Sequence, residues 1–478
     1  MSYNHENGIV SESCETDDST QESPADDTSA ESSLQSNSVL DRRGYIGLVG
    51  TAGIASLLGS RPASAQQPDS GDSGSADTDS SSKQDTERPS RGGFGWDETF
   101  TDTSWVDDAG DDFNVETVTT LDATGSGSIT EAFDNADDGP TIIVFEVGGV
   151  IELSESENLR LRESQTWIAG QTAPSPGIAI TKGMFRIHGD QCIVQHLSLL
   201  PGDQTDADEN GFVIDGDDVM FDHCTALWGT DEGAGMSNVC DRGSFINCII
   251  AEGLYDSIHS KGPHSRGLHI NDQSTDLCIM GNLFAHNNRR NPLTRADAVI
   301  ANNYIYNHGR SLVNFNSPAV PDVSSIGNVF EMGPDSYSFD ERSIHHYDAT
   351  LYLDDNVSIP AGRPQTDDSQ TLVDEPPIWP SGLDRDDIVA SDAVPEFVLC
   401  NAGPRPGDRP PVETDLIANR VGDGSGEIID SQDEVGGYPD YSSTPQTLAV
   451  PDSGLLEWMQ EHTAAAERTA ETATDPTE

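Results

Sequence analysis

The sequence predicts an all-β solenoid of stacked parallel strands. Three observations carry this. The middle of the chain repeats one short motif, the motif alternates apolar and polar residues, and no helical segment separates its copies. The copies are CIVQHLSLLPG from 192, VMFDHCTALWG from 219, SFINCIIAEG from 244 and CIMGNLFAHNN from 278. AVIANNYIYNHG from 298, SSIGNVFEMG from 324 and ATLYLDDNVSI from 349 follow. Runs this short with alternation read as strands. A spacing in the twenties with one motif per repeat reads as a solenoid.

Aligning the runs sets His196, His223, Cys248, Asn282, Asn303, Asn328 and Asn356 in one column, with steps of 27, 25, 34, 21, 25 and 28 residues. Parallel stacking at about 4.8 Å per coil would turn the column into a ladder, with asparagine at a bend. Uneven steps mean loops of unequal length. The longest, between Cys248 and Asn282, carries AEGLYDSIHSKGPHSRGLHINDQSTD, and long loops on a rigid scaffold are where function concentrates. Upstream, GSGSITEAF predicts a short helix at the start of the solenoid. PTIIVFEVGGVIEL and QTWIAGQTAPSPGIAI predict its first strands and turns.

The flanks read differently. Residues 1–65 are an acidic extension followed by Arg42–Arg43, an apolar run over residues 46–59, and Ala63-Ser64-Ala65. That order resembles a twin-arginine export signal with an A-x-A cleavage site, and predicts secretion. The run is too short for a membrane span, which takes about 20 apolar residues. Residues 66–94 form a Ser/Gly/Asp linker and 95–451 the solenoid domain. Residues 452–478 hold a short helix over 455–466, capped by Asp452 or Ser453, and a frayed tail. The seven cysteines show no C-x-x-C spacing; most lie in apolar runs and read as buried thiols, with a disulfide left open.

Charge sharpens the question of function. The chain has 84 Asp and Glu against 24 Lys and Arg, a formal charge of −60. Self-repulsion on that scale destabilises a compact state in dilute salt. At 1 M salt the Debye length falls to about 3 Å, so the charge reads as adaptation to high salt. Against this background, residues 261–310 carry six cations (Lys261, Arg266, Arg289, Arg290, Arg295, Arg310) and three anions (Asp272, Asp276, Asp297). His259, His264, His269, His286 and His308 lie in the same region. Salt bridges between coils are one explanation. A site for an anionic ligand is the other, because the guanidinium fork matches a carboxylate. A body this acidic repels nucleic acid, and no basic stripe with interleaved aromatics appears. A polycarboxylate fits better.

From about residue 120 to 450 the chain resembles the pectate lyase superfamily, polysaccharide lyase family 1 above all. VMFDHCTALWGTDE is similar to the family's aspartate–histidine strand and the acidic segment after it, and MGNLFAHNNRRNPLTR to its R-x-P-x-x-R element. The resemblance implies a right-handed single-stranded parallel β-helix and a secreted lyase that cleaves a polyuronate by calcium-assisted β-elimination. It implies that Arg290 is the catalytic base and that Arg295 binds the substrate carboxylate. The family's binding lysine falls at Arg266, with Lys261 the nearby alternative. Calcium would be held by Asp208, Glu209 and Asp231, while the family's next acidic position falls at Gly235. Polygalacturonate or a related polymer is the implied partner and a monomer the expected state. Two other classes stay open: a β-helical glycoside hydrolase, for which Asp231 with Glu232 or Asp208 are the nearby carboxylates, and a non-catalytic polysaccharide-binding helix.

Overall fold

The computed structural model describes residues 93–467, apart from 137–138, 154–157, 205–209, 237–238, 310–311, 315–319, 337–343, 346–348 and 361–370. The expected export signal and linker, and Cys14, lie outside the described residues.

Three sheets run the length of the solenoid, and every successive coil adds one strand to each in parallel register. The first sheet has eleven strands, among them Cys192–Gln195, Val219–Asp222, Ser244–Ile246, Leu277–Met280, Ala298–Ala301, Asp322–Ile326 and Thr350–Asp354. These are the first halves of the seven repeated runs, and each pairs with its neighbour in parallel. The second halves, such as Leu197–Leu200, Thr225–Leu227 and Ile249–Ala251, build another sheet of ten strands. The remaining sheet has eight strands, including Phe212–Ile214, Glu232–Met236, Arg266–Ile270 and Leu293–Thr294. The result is an all-β parallel β-helix, wound right-handed as parallel crossovers are.

Apolar side chains fill the coil interior in stacks. Phe185, Phe212, Phe221 and Phe245 are buried one above another, the last pair 5.1 Å apart and near-parallel. Truncating one such Phe costs about 3–5 kcal/mol. The predicted entry helix is present as Ile129–Asp134, with the Ser128 hydroxyl accepting from Glu131 N–H, and Phe133 stacks on Phe185 to close that end.

The asparagine ladder is present too. Asn282, Asn303, Asn328 and Asn356 each accept at Oδ1 from the next lower coil, and the Asn282–Asn303 side-chain bond is 3.0 Å. Each Nδ2 also donates to a main-chain carbonyl of the coil below. A buried amide left without such partners would cost about 1–3 kcal/mol. The column needs one correction. Each bend has two residues, the first at positive φ: His196, His223, Asn247, Gly281, Asn302, Gly327 and Asp355. The ladder residue follows it. His196 and His223 therefore belong to the positive-φ position, and Cys224 and Cys248 precede Asn282 in the ladder. Left-handed backbone favours Gly and Asn most, so polar letters occur in both columns.

The C-terminal segment returns along the outside. Thr444–Pro445 adds an antiparallel strand beside Val147 and Gly148. The final helix, Leu455–Glu467, buries Leu455 and Met459 against Trp105 and Trp167. Its cap is neither Asp452 nor Ser453. The Asp111 carboxylate accepts from Gly454 N–H at 2.7 Å and Leu455 N–H at 3.0 Å, satisfying donors that helix ends leave open. Cys192, Cys224, Cys240, Cys248 and Cys278 are buried and Cys400 is exposed, and none of the six is in a disulfide. Burial pushes the Cys192 and Cys278 thiols up to about 12. No helix among the described residues is long and apolar enough to cross a membrane.

Candidate active site

Three consecutive coils bring the charged groups together on the eight-stranded sheet. Glu232 opens one strand and pairs in register with Arg266 on the next. Arg266 in turn bridges Arg289 on the coil above, where Gly267 and Leu268 N–H donate to the Arg289 and Arg290 carbonyls at 3.0 and 2.8 Å. Residues from sequence positions 232, 266 and 290 thus become neighbours about one strand spacing apart. Ala234, Met236, Leu268 and Ile270 of the same strands point into the core and fix them there. Arg290 itself has φ 63°, an uncommon backbone state for a long side chain. The main-chain bond from Leu268 holds it.

Glu232 is the hub. Its buried carboxylate pairs with Arg290, lies 3.5 Å from Arg266 Nη1, and lies 3.9 Å from His269 Nδ1. Burial raises the Glu232 carboxyl, against the pull of Arg290. Burial likewise lowers the Arg290 guanidinium to about 10; Glu232 opposes the shift and Arg266 and Arg295 add to it. Both directions share a cause, since a low-dielectric setting disfavours each charged form. His269 is held neutral by burial and by Arg290, Arg295 and Arg266, its pKa falling to about 3.

The expected site residues distribute as follows. Arg290, Arg266 and Arg295 act electrostatically on one imidazole, so they share a face. Arg295 leans outward and pairs with Asp272 at 3.5 Å. Lys261 is exposed on the loop between Ala251 and Arg266, the long insertion of the repeat. Asp231, half-buried, faces Arg266 Nη1 at 3.3 Å, His264 Nε2 at 3.5 Å and His259 Nε2 at 3.6 Å. Asp208 and Glu209 lie outside the described residues. Gly235 stands opposite His269 and Val213 in the sheet and offers no side-chain ligand. The charge count pointed to the arginines; Glu232 and His269 as their partners were missed, because only the register across a 34-residue step reveals them.

Calcium takes six to eight oxygens. The described donors around Asp231 are one carboxylate, already held by Arg266, and two imidazoles, while Glu232 is committed to arginines. The described donors alone do not make an oxygen shell for calcium; Asp208 and Glu209, the other two expected ligands, lie outside the described residues. A cavity of about 170 Å³ lies elsewhere, lined by Phe94, Trp96, Trp167, Asp222, His223 and Glu467. Its polar groups are largely spent on packing. Asp222 accepts from Trp96 Nε1 (3.0 Å), Gln195 Nε2 (2.8 Å) and Asn247 Nδ2 (3.1 Å), and it pairs with His223 Nδ1 at 2.6 Å.

No family model matches the chain. Individual proteins do. A protein of Aspergillus flavus named "Probable pectate lyase C" is 32% identical over 248 residues, which is 50% of this chain and 56% of that relative. The protein of the same name from Emericella nidulans is 31% identical over 249 residues, 50% of this chain and 55% of the relative. The matched stretch is homologous to pectate lyases. The chain spans about half the length of the relatives it matches. Among solved structures, the cedar pollen allergen jun a 1 aligns with 61% of this chain and 88% of its own at 14% identity and a TM-score of 0.46. A Bacillus sp. N165 pectate lyase, solved with trigalacturonate, aligns with 60% of this chain and 93% of its own at 14% identity and a TM-score of 0.43.

Proposed function

We propose that the chain is a polysaccharide lyase that cleaves a uronic-acid polymer, with polygalacturonate as the first candidate, by β-elimination at the face around Arg290. One observation carries this: in a chain of net charge −60, three arginines converge on one neutral imidazole, and burial makes the guanidinium of one of them, Arg290, readier to give up its proton. The pectate lyase relatives support the reading.

A base takes the C5 proton of a uronate. The electron pair forms a C4–C5 double bond, the C4–oxygen bond breaks, and the departing oxygen takes a proton from solvent. The C5 proton is poorly acidic while the neighbouring carboxylate carries full charge. Arg266 and Arg295, both partly exposed, clamp that carboxylate and stabilise the charge that builds on it. Arg290 is assigned the role of base. Burial lowers its pKa, so the share of enzyme carrying a neutral guanidine grows as pH rises. Glu232 anchors this side chain, and Lys261 is the alternative to Arg266 as the substrate-binding cation. No step is routed through calcium.

Export through the twin-arginine route is part of the proposal. It rests on Arg42–Arg43, the apolar run and the A-x-A site, and the heavy acidic surface suits work outside the cell in high salt. A monomer suffices for the site as built. The test is ultraviolet absorbance on polygalacturonate in molar salt. A lyase creates an absorbing C4–C5 double bond. New reducing ends without that absorbance would make the protein a hydrolase, and binding without either product would leave a polysaccharide-binding helix.

A further inference from the structure

We infer, resting on the reading of the Arg290 face as a polyuronate site, that Arg160, Arg162 and Arg186 form a second carboxylate-binding subsite, which takes uronates further along the same polymer. The charge signal that exposed the first patch occurs twice. Residues 158–188 carry Arg160, Arg162, Lys182 and Arg186 against the single acid Glu163. In a chain of net charge −60 this is another inversion of sign. Lys182 is engaged by Glu152 at 2.9 Å, which leaves the three arginines to account for.

Both patches lie on the eight-stranded sheet. Arg160 stands on Leu159–Leu161 and Arg186 on Phe185–Ile187, and the two residues face each other in register. The same column continues through Val213 and Gly235 to His269. Arg186 is three strands from His269 and Arg160 four, about 14 and 19 Å at strand spacing. Val213 is buried and Gly235 has no side chain, so neither puts a charge between the patches. Like charges directly opposite on neighbouring strands destabilise a sheet. A protein with 84 acids nonetheless has arginine at both positions. An anion shared by the two guanidinium groups removes that repulsion.

The second patch repeats the construction of the first. A buried carboxylate, Asp215, holds Arg186 Nη1 at 3.0 Å and lies 3.2 Å from His188 Nδ1, as Glu232 holds Arg290 beside His269. All three guanidinium groups act on the His188 imidazole. Burial is the largest cause of its lowered pKa; Asp215 opposes the fall, and Arg186, Arg160 and Arg162 add to it. Asp215 is shared between Arg186 and His188, whereas Arg160 and Arg162 are exposed to solvent. The Glu163 carboxylate accepts from Arg162 N–H at 3.1 Å. A polyuronate carries one carboxylate per sugar, and the guanidinium fork matches each of them.

Binding is measured apart from turnover, by calorimetry on the full chain in molar salt, with polygalacturonate and with trigalacturonate. The trimer is too short to occupy both patches, and the polymer spans them. Arg160→Ala/Arg162→Ala removes two exposed side chains, so circular dichroism should stay unchanged. The double variant should bind the polymer about tenfold or more weakly and the trimer as wild type does. Fully methyl-esterified polymer should not distinguish the two proteins. Equal polymer affinity in variant and wild type, or an equal loss for the trimer, would overturn the subsite. A wild type that binds polymer without releasing ultraviolet-absorbing product would refute the lyase reading alone, and the same variant would still decide the subsite. A wild type that does not bind polymer would refute both. Should the double variant fail to fold, Arg162→Gln decides by the same contrast between polymer and trimer.

Discussion

Two clusters built from the same short run, FDHCTALWGTDEG, end in opposite conditions. Asp222 and His223 sit at the end of a first-sheet strand; Asp231 and Glu232 lie nine residues on, at the start of a strand in another sheet. Asp222 is satisfied by four neighbours, and His223 stacks on His196 beneath Glu467 of the terminal helix. Glu232 faces two partly exposed arginines, and Asp231 faces Arg266 and two imidazoles. The first cluster holds the chain together. The second has capacity left over, and spare capacity is what a ligand uses. Acidic and histidine letters alone do not separate these cases; the partners supplied by packing do.

The comparison can be broken most forcefully at Asp222. Asp222→Ala strands a protonated His223 in the interior and should cost about 3–5 kcal/mol, seen as a large fall in thermal midpoint. A stable variant with lost turnover would reverse the two roles. Next comes pH. Burial alone would lower His223, but Asp222 and Glu467 outweigh it and hold it protonated up to about 9. Its stabilising contribution is thus complete below the ordinary histidine value near 6.5 and lost as pH rises through about 9. Asp222 is the mirror case: burial opposes ionisation, yet His223, His196 and Trp96 hold its carboxyl below the usual range, so its contribution fades only in acid. A thermal midpoint that keeps rising above pH 9 would contradict this pairing.

Smaller effects belong to the arginine face. Arg295→Ala and Arg266→Ala should each raise KM by about tenfold with a lesser effect on kcat, as removal of a carboxylate clamp does. Glu232→Gln tests the coupling. Glu232 is the largest of the groups that raise the Arg290 pKa, so its neutralisation should let Arg290 lose its proton earlier and move the rising limb of the rate profile to lower pH. A profile that stays in place would separate Glu232 from the base.

Much of the fold was legible because a solenoid repeats itself: seven runs predicted seven stacked strands, and Asn282 to Asn356 predicted a ladder that is there. The misplacement of His196 and His223 by one residue followed from a two-residue bend in which both positions accept polar side chains. The Asp111 cap was invisible because it comes from more than 340 residues away. The arginines stood out by inverting the charge of their surroundings. Glu232 did not, since its role arises from register between coils; Asp231 and Glu232 read as interchangeable acids in sequence and are not. Of the three expected calcium ligands only Asp231 lies among the described residues, where it faces Arg266 and two imidazoles.

The central claim is that the Arg290 cluster works while the Asp222 cluster holds. Turnover of polygalacturonate by Arg290→Ala, followed as ultraviolet absorbance in molar salt alongside its thermal midpoint, tests it most directly. The expected result is a rate lowered by about 10²–10⁴ with the fold intact. A folded Arg290→Ala with near wild-type turnover would contradict it and reduce the arginines to a binding patch.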